Sequence, residues 1–263
     1  MIFFTMMLLL ILLLFFLGIS IGSFINALVY RLEEKLPIVR GRSMCIECKR
    51  ILAWHDLIPL VSYFQLRGKC RYCKARISWQ YLVVELVTGI AFILPVVKIF
   101  NFQFSIFNFH YLRYFVFVTM LMVIFAYDLR YMLIPDRISL SAIVIVFLLQ
   151  IPNSKFQIPN LFLAALIGFT FFFLQFILSK GTWIGGGDLR LGFLMGLMLG
   201  FPNIVIAIFL SYIIGSVVAL PLVLAGRKRL KSPVPFGVFL TISTIIVYLW
   251  GDAIRIAYFR LIL

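Results

Sequence analysis

The chain has 263 residues, of which 64% are hydrophobic and only 13% charged, with a mean hydropathy of +1.13. That composition excludes an ordinary soluble globular domain and points to an integral membrane protein. The net charge of +15 would suit a nucleic-acid partner, but basic residues on such a protein mark loops facing the cytoplasm and anionic lipid, so membrane lipid is expected and nucleic acid is not.

A helix needs about 20 apolar residues to cross the hydrocarbon layer. Eight stretches are expected to do so: 2–29, 80–100, 112–127, 138–151, 160–178, 189–200, 203–225 and 236–250. The fourth and sixth are short and cross only when packed against neighbours. The first lacks a basic start and is too long for a cleavable signal, so it is expected to remain as a spanning helix. The fold class is therefore an all-α polytopic membrane protein with about eight transmembrane helices and one small soluble loop, 31–79.

Placing that loop on one side and alternating the spans collects 19 of the 24 Lys and Arg residues on the loop side. Lys98, Arg113, Lys155, Arg255 and Arg260 remain on the other; the basic run Arg227, Lys228, Arg229 and Lys231 falls with the loop. The bias predicts a cytoplasmic loop and external termini.

All four cysteines lie in the loop, as Cys45-x-x-Cys48 and Cys70-x-x-Cys73. Each pair can set two thiolates on one tight turn, and two such turns close a tetrahedral structural zinc site. Disulfides fit a reducing cytoplasm poorly, and inert thiols do not explain the doubled spacing. With every ligand position filled, the metal would supply folding energy rather than catalysis. His55, beside Asp56, reads as a surface or interfacial histidine and not as a ligand. The loop has no strand followed by a Gly-x-Gly-x-x-Gly turn, so nothing in it predicts a nucleotide fold.

Glu85 stands about a turn and a half into the second span, either as an interfacial carboxylate paired with a loop cation or as a substrate-facing acid. Gly18 and Gly22 on the first span form a small-xxx-small contact face, with Ser23 and Asn26 as interhelical hydrogen-bonding groups.

Asp128 ends the third apolar run, in Tyr127-Asp128-Leu129-Arg130, and Asp188 opens the sixth, in Gly185-Gly186-Gly187-Asp188. The charge bias places both at the cytoplasmic face. A carboxylate near hydrocarbon depth costs a few kcal/mol or more, so it is read as functional. Two facing carboxylates can share a proton, one activating water and the other polarising an amide carbonyl, which is aspartyl proteolysis. A proton or cation relay in a transporter uses the same residue type, and so does a pair of aspartates buried beside Arg or Lys near helix ends; Asp136, after Pro135, is expected to be of that last kind. The three glycines lack Cβ atoms, so they admit an extended backbone close to Asp188 and allow an irregular link between helices. Arg130 and Arg190, each two residues after its aspartate, are candidates for tuning the pair.

Taken together, these residues resemble the bacterial type IV prepilin peptidases. The resemblance rests on an ordered set: Gly22-Ser23-Phe24-Ile25-Asn26 with Tyr30-Arg31; the two cysteine pairs flanking Asp56-Leu57-Ile58-Pro59-Leu60 and Arg67-Gly68; Val84-Glu85-Leu86; Asp128-Leu129-Arg130 with Ile134-Pro135-Asp136; Gly185-Gly186-Gly187-Asp188; and Pro235-Phe236-Gly237. It implies a bifunctional enzyme of the bacterial inner membrane. Such an enzyme removes the basic leader of a prepilin or pseudopilin on the cytoplasmic side, then methylates the new amino terminus with S-adenosyl-L-methionine. Asp128 and Asp188 take the positions of the catalytic aspartates, while Gly185, Gly186, Gly187 and Glu85 are motif and substrate residues. The domains expected on this basis are 1–30, the first span; 31–79, a zinc-binding domain associated with methylation; and 80–263, the transmembrane protease domain. Two departures, Glu33 where proline is common and Ile46-Glu47 inside the first cysteine pair, lie outside the protease motif.

Overall fold

The computed structural model describes residues 2–38, 41–98, 109–152, 157–226 and 233–262. The expected end of the second span at Phe100 lies outside the described residues, as do Arg40, Lys155 and the run Arg227, Lys228, Arg229 and Lys231. The described residues form nine α-helices and no strand: α1 (Ile2–Glu33), α2 (Val61–Gln65), α3 (Trp79–Lys98), α4 (Phe109–Tyr131), α5 (Asp136–Gln150), α6 (Gln157–Leu178), α7 (Gly186–Leu199), α8 (Asn203–Leu224) and α9 (Phe236–Ile262).

Each of the eight apolar stretches becomes a helix, and six of them are long and apolar enough to cross a membrane. The short ones are α5 and α7, with 15 and 14 residues; at 1.5 Å per residue they rise only about 20 Å against roughly 30 Å of hydrocarbon. Several helix ends differ from expectation: α1 runs on to Glu33 and α4 to Tyr131, each past its expected end. α7 begins at Gly186, so two of the glycines belong to its first turn instead of forming an irregular link. α9 continues past 250 to Ile262, with Asp252 and Arg255 paired one turn apart along it.

The chain divides into two compact units, Met1–Ala126 and Tyr127–Leu263, with the division inside α4. In the first, α1 and α3 approach until their backbones touch. A Cβ on Gly18 would stand 2.8 Å from the Gly89 Cα, and one on Gly22 would stand 2.8 Å from the Glu85 Cα; the small-residue face read from the sequence is this seam. Pro95 inside α3 has no N–H to give the carbonyl four residues earlier. That carbonyl, of Ala91, instead accepts the Tyr114 hydroxyl at 2.7 Å. Asn26 Nδ2 donates to the Tyr81 carbonyl at 3.0 Å.

In the second unit α7 is the central element, with α5, α6, α8 and α9 packed around it. It carries eight buried residues over its 14 positions, as a helix enclosed on all sides must. The α6–α7 seam is made by Gly168, Gly192 and Gly196, where a Cβ would overlap the facing backbone of Gly192, Gly168 and Ala164 respectively. The far end of α7 is closed by side chains. Gln150 Nε2 donates to the Leu197 carbonyl at 2.8 Å, one of the last carbonyls left without a helical partner, and Asn160 brackets Phe201 by accepting its N–H at 2.6 Å and donating to its carbonyl at 3.2 Å.

Candidate active site and metal centre

In the second unit the end of α4 and the start of α7 bring Asp128 and Asp188 close enough for their charges to interact. Each carboxylate rests on the amino end of a helix. Asp188 is the third residue of α7, and its Oδ2 accepts the Gly185 N–H at 3.1 Å, capping its own helix. Asp128 is buried, and its Oδ2 accepts the Val238 N–H at 3.0 Å. Val238 lies in the first turn of α9, whose free N–H groups and positive dipole end favour a negative oxygen.

The glycines around the pair have separate jobs. A Cβ on Gly237 would fall 2.9 Å from Asp128 Oδ2 and 3.0 Å from Ile134 Cδ1, so only glycine lets the carboxylate reach α9. One on Gly187 would fall 2.7 Å from the Ile134 Cβ; this residue is needed for packing inside the protein. Gly186 has open space where its Cβ would be, and Gly185 has only Asp188 Oδ2, at 3.8 Å. The open side of the motif is therefore Gly185-Gly186.

Arg190 pairs with Asp136, which satisfies the expectation that Asp136 meets a cation near a helix end, although both side chains are partly exposed and not buried. Arg130 lies over the Tyr131 ring, 5.3 Å from its centre. Tyr212 on α8 lies within electrostatic reach of Asp188, donates its hydroxyl to Gln175 Oε1 at 2.9 Å, and tilts against Phe236 at 5.0 Å between ring centres. Sequence reasoning missed Val238 and Tyr212. The first had a signal in Pro235-Phe236-Gly237, since a proline just before a helix marks its amino end; a tyrosine inside an apolar span has none.

In the first unit Glu85 is buried, and its Oε2 accepts the Leu60 N–H at 2.8 Å, with a further hydrogen bond to the Ser23 side chain. Among the described residues it has no cationic partner within salt-bridge distance. It joins the loop to α1 and α3 and is not part of an ion pair.

The loop folds around its cysteines. Residues 43–52 and 68–77 repeat one turn at an offset of 25. The Cys45 N–H donates to Arg50 O at 2.9 Å and the Lys49 N–H to Cys45 O at 3.0 Å, matched by Cys70 to Ala75 at 2.8 Å and Lys74 to Cys70 at 3.0 Å. Lys49 and Lys74 take the same left-handed backbone, with φ of 53° and 60°. The four Sγ atoms all lie within 4.8 Å of one another and none is in a disulfide. Zn–S bonds of about 2.3 Å imply tetrahedron edges near 3.8 Å, and Cys45 and Cys73 stand 3.8 Å apart, so the donor set fits zinc. Between the knuckles, Asp56 accepts Arg71 Nε at 2.7 Å. Burial pushes its carboxyl up, but the Arg71 hydrogen bond and charge outweigh this and hold it below the usual carboxylate range. His55 stands 3.7 Å from Asp56, apart from the sulfur cluster.

Comparison with known proteins assigns the chain. Residues 16–99 match the family model of the bacterial peptidase A24 N-terminal domain, and residues 115–220 match that of the type IV leader peptidase family. A Bacillus subtilis (strain 168) protein named prepilin leader peptidase/N-methyltransferase is 32% identical over 255 residues, 95% of this chain and 98% of that relative. The chain belongs to the type IV leader peptidase family. Relatives of the same name in Aeromonas salmonicida and Pseudomonas putida are 26% and 28% identical, over 95% and 90% of this chain and 94% and 90% of theirs. No solved structure matches it. In this leader peptidase the first matched region holds Glu85 and the four cysteines, the second holds both aspartates, and Gly237 and Val238 lie beyond it.

Proposed function

We propose that the protein is a membrane-embedded aspartyl endopeptidase that cleaves the basic leader from type IV prepilins or pseudopilins at the cytoplasmic face of the bacterial inner membrane. It then methylates the new amino terminus with S-adenosyl-L-methionine. The observation that carries the peptidase reading is the pairing of Asp128 and Asp188, each on a helix amino end and within reach of the other's charge. One carboxylate, ionised, takes a proton from the water that attacks the scissile carbonyl. The other, protonated, donates to that carbonyl oxygen; as the C–N bond breaks, the proton gained by the first passes to the leaving amine and a hydroxyl of the tetrahedral intermediate returns a proton to the second. The open side of Gly185 and Gly186 receives the extended backbone around the scissile bond.

The charge asymmetry of the loops supports a cytoplasmic position for residues 31–79 and for the aspartates. The substrate's leader stays in the cytosol while its apolar helix lies in the bilayer. Residues 31–79 act as the zinc-binding domain, with zinc held by Cys45, Cys48, Cys70 and Cys73 as a structural ion that fixes the two knuckles. The protease chemistry belongs to 80–263. The methylation reading draws on the names of the relatives and is assigned to the amino-terminal part, with Glu85 and the loop as its candidate region.

The test is mass spectrometry of a prepilin incubated with the purified protein, with and without S-adenosyl-L-methionine, which reads leader loss and methyl gain together. Asp128→Asn and Asp188→Asn should each abolish cleavage while the thermal transition and zinc content stay at wild-type values. Full cleavage by either variant refutes the assignment of the pair. Leader loss with no mass gain of a methyl group removes the second activity.

A further inference from the structure

The loop carries an apolar stripe that neither the metal site nor the aspartate pair uses. Trp54, Leu57, Ile58, Val61 and Phe64 are all exposed, Trp54 at 78% and Phe64 at 67%. They fall in one short segment, with Trp54 and Leu57 at the two ends of a single turn and Val61 and Phe64 three apart on α2. Large exposed apolar residues gathered in one short segment mark a surface that something covers.

Where the stripe sits identifies the cover. Leu60, in its middle, donates its N–H to Glu85 at 2.8 Å. Glu85 is six residues beyond Trp79, the first residue of the membrane-crossing α3, which is about 9 Å down the helix at 1.5 Å per residue. The loop is thus held beside the first two turns of a span. A second tie, from Lys49 Nζ to the Tyr30 hydroxyl at 3.1 Å, holds the first knuckle to the end of α1. Strapped to both spans, the stripe cannot stand clear in water above the bilayer. Trp79, 62% exposed at the head of α3, marks the same level, where tryptophans gather at membrane surfaces.

Charge selects among possible covers. Residues 31–79 hold eleven Lys and Arg against four Asp and Glu, and the one carboxylate within the stripe, Asp56, has its side chain 2% exposed beneath Arg71. Arg67 and Lys69, just after the stripe, are exposed. Apolar rings backed by free cations fit anionic phospholipid and repel a basic peptide.

We propose that residues 54–64 are an interfacial anchor, with Trp54 and Phe64 inserted at the boundary between headgroups and acyl chains and with Arg67 and Lys69 on anionic headgroups. The loop is then a peripheral membrane domain in its own right, tied at both ends and immersed along one edge. The inference does not depend on the peptidase reading.

The experiment uses the full-length protein in vesicles of phosphatidylcholine, with or without phosphatidylglycerol, made from acyl-brominated or ordinary lipid. The contribution of Trp54 is the difference in tryptophan emission between wild type and Trp54→Phe, compared at equal zinc content. Immersion at the boundary predicts that bromolipid removes roughly half or more of this signal while aqueous iodide removes little. Phosphatidylglycerol should increase the bromolipid quenching in the wild type and not in the Arg67→Glu, Lys69→Glu variant. Quenching by iodide alone would overturn the anchor, and protection from both quenchers would mean that protein covers the stripe. Indifference to phosphatidylglycerol would overturn the anionic ligand.

Discussion

Replacing Gly237 by alanine tests the support of the aspartate pair without changing either aspartate. The added Cβ would stand 2.9 Å from Asp128 Oδ2, 3.1 Å from its Cγ and 3.0 Å from Ile134 Cδ1. Real Cβ atoms do not settle at the first distance, and Asp128 is buried on a packed helix, so its carboxyl group must turn away from the Val238 N–H. A hydrogen bond to a charged group is worth about 1.5–3 kcal/mol, which corresponds to about a 10- to 150-fold loss in rate if the bond is fully expressed in the transition state. A displacement on the order of 1 Å at a reacting group carries a penalty near 100-fold by itself, within the same range. The assay is kcat/KM for leader removal from a prepilin in detergent, with zinc content and thermal unfolding as controls for folding. Cleavage within twofold of wild type would refute the claim that this glycine exists to seat the carboxylate.

Gly186→Ala probes the opposite side of the site. No protein atom lies within 4 Å of the new Cβ and alanine is the better helix former by up to about 1 kcal/mol, so stability should hold or rise while kcat/KM falls about tenfold through contact with the substrate backbone; unchanged cleavage would remove the groove from Gly185-Gly186. Elemental analysis should find about one zinc per chain, abolished in Cys45→Ser, Cys70→Ser. Undiminished metal in that variant would reject the four-cysteine site. In the same loop, Asp56→Asn strips Arg71 of its charge partner, and with Arg71 partly in water the loss should be about 1 kcal/mol, read as easier removal of zinc by a chelator.

Much of this was legible because the membrane imposes strong rules. Runs of about 20 apolar residues announced the long helices, the doubled Cys-x-x-Cys announced the knuckles, and the cost of Asp128 and Asp188 in an apolar setting announced the pair. The sequence was silent where backbone supplies the chemistry. Val238 contributes only its N–H, so its side chain carries no trace of the role, and the glycines were read as one group because a residue without a side chain does not reveal what lies beside it. Gly187 faces Ile134, Gly237 faces Asp128 and Gly186 faces nothing, distinctions that depend on contacts distant in sequence. Glu85 was legible as a costly group, but its partner is the amide of Leu60, which no pattern of charges discloses.

The glycine seam between α6 and α7 bears on how this sequence tolerates change. With Gly168, Gly192 and Gly196 set directly against a facing backbone, a single methyl group wedges apart the two helices, and Asp188 travels with α7. In a saturation-mutagenesis map of cleavage, these three positions would then appear as blank as the aspartates themselves, though none of them meets a substrate. Intolerance to substitution would trace the rail on which the carboxylate is mounted as clearly as it traces the chemistry.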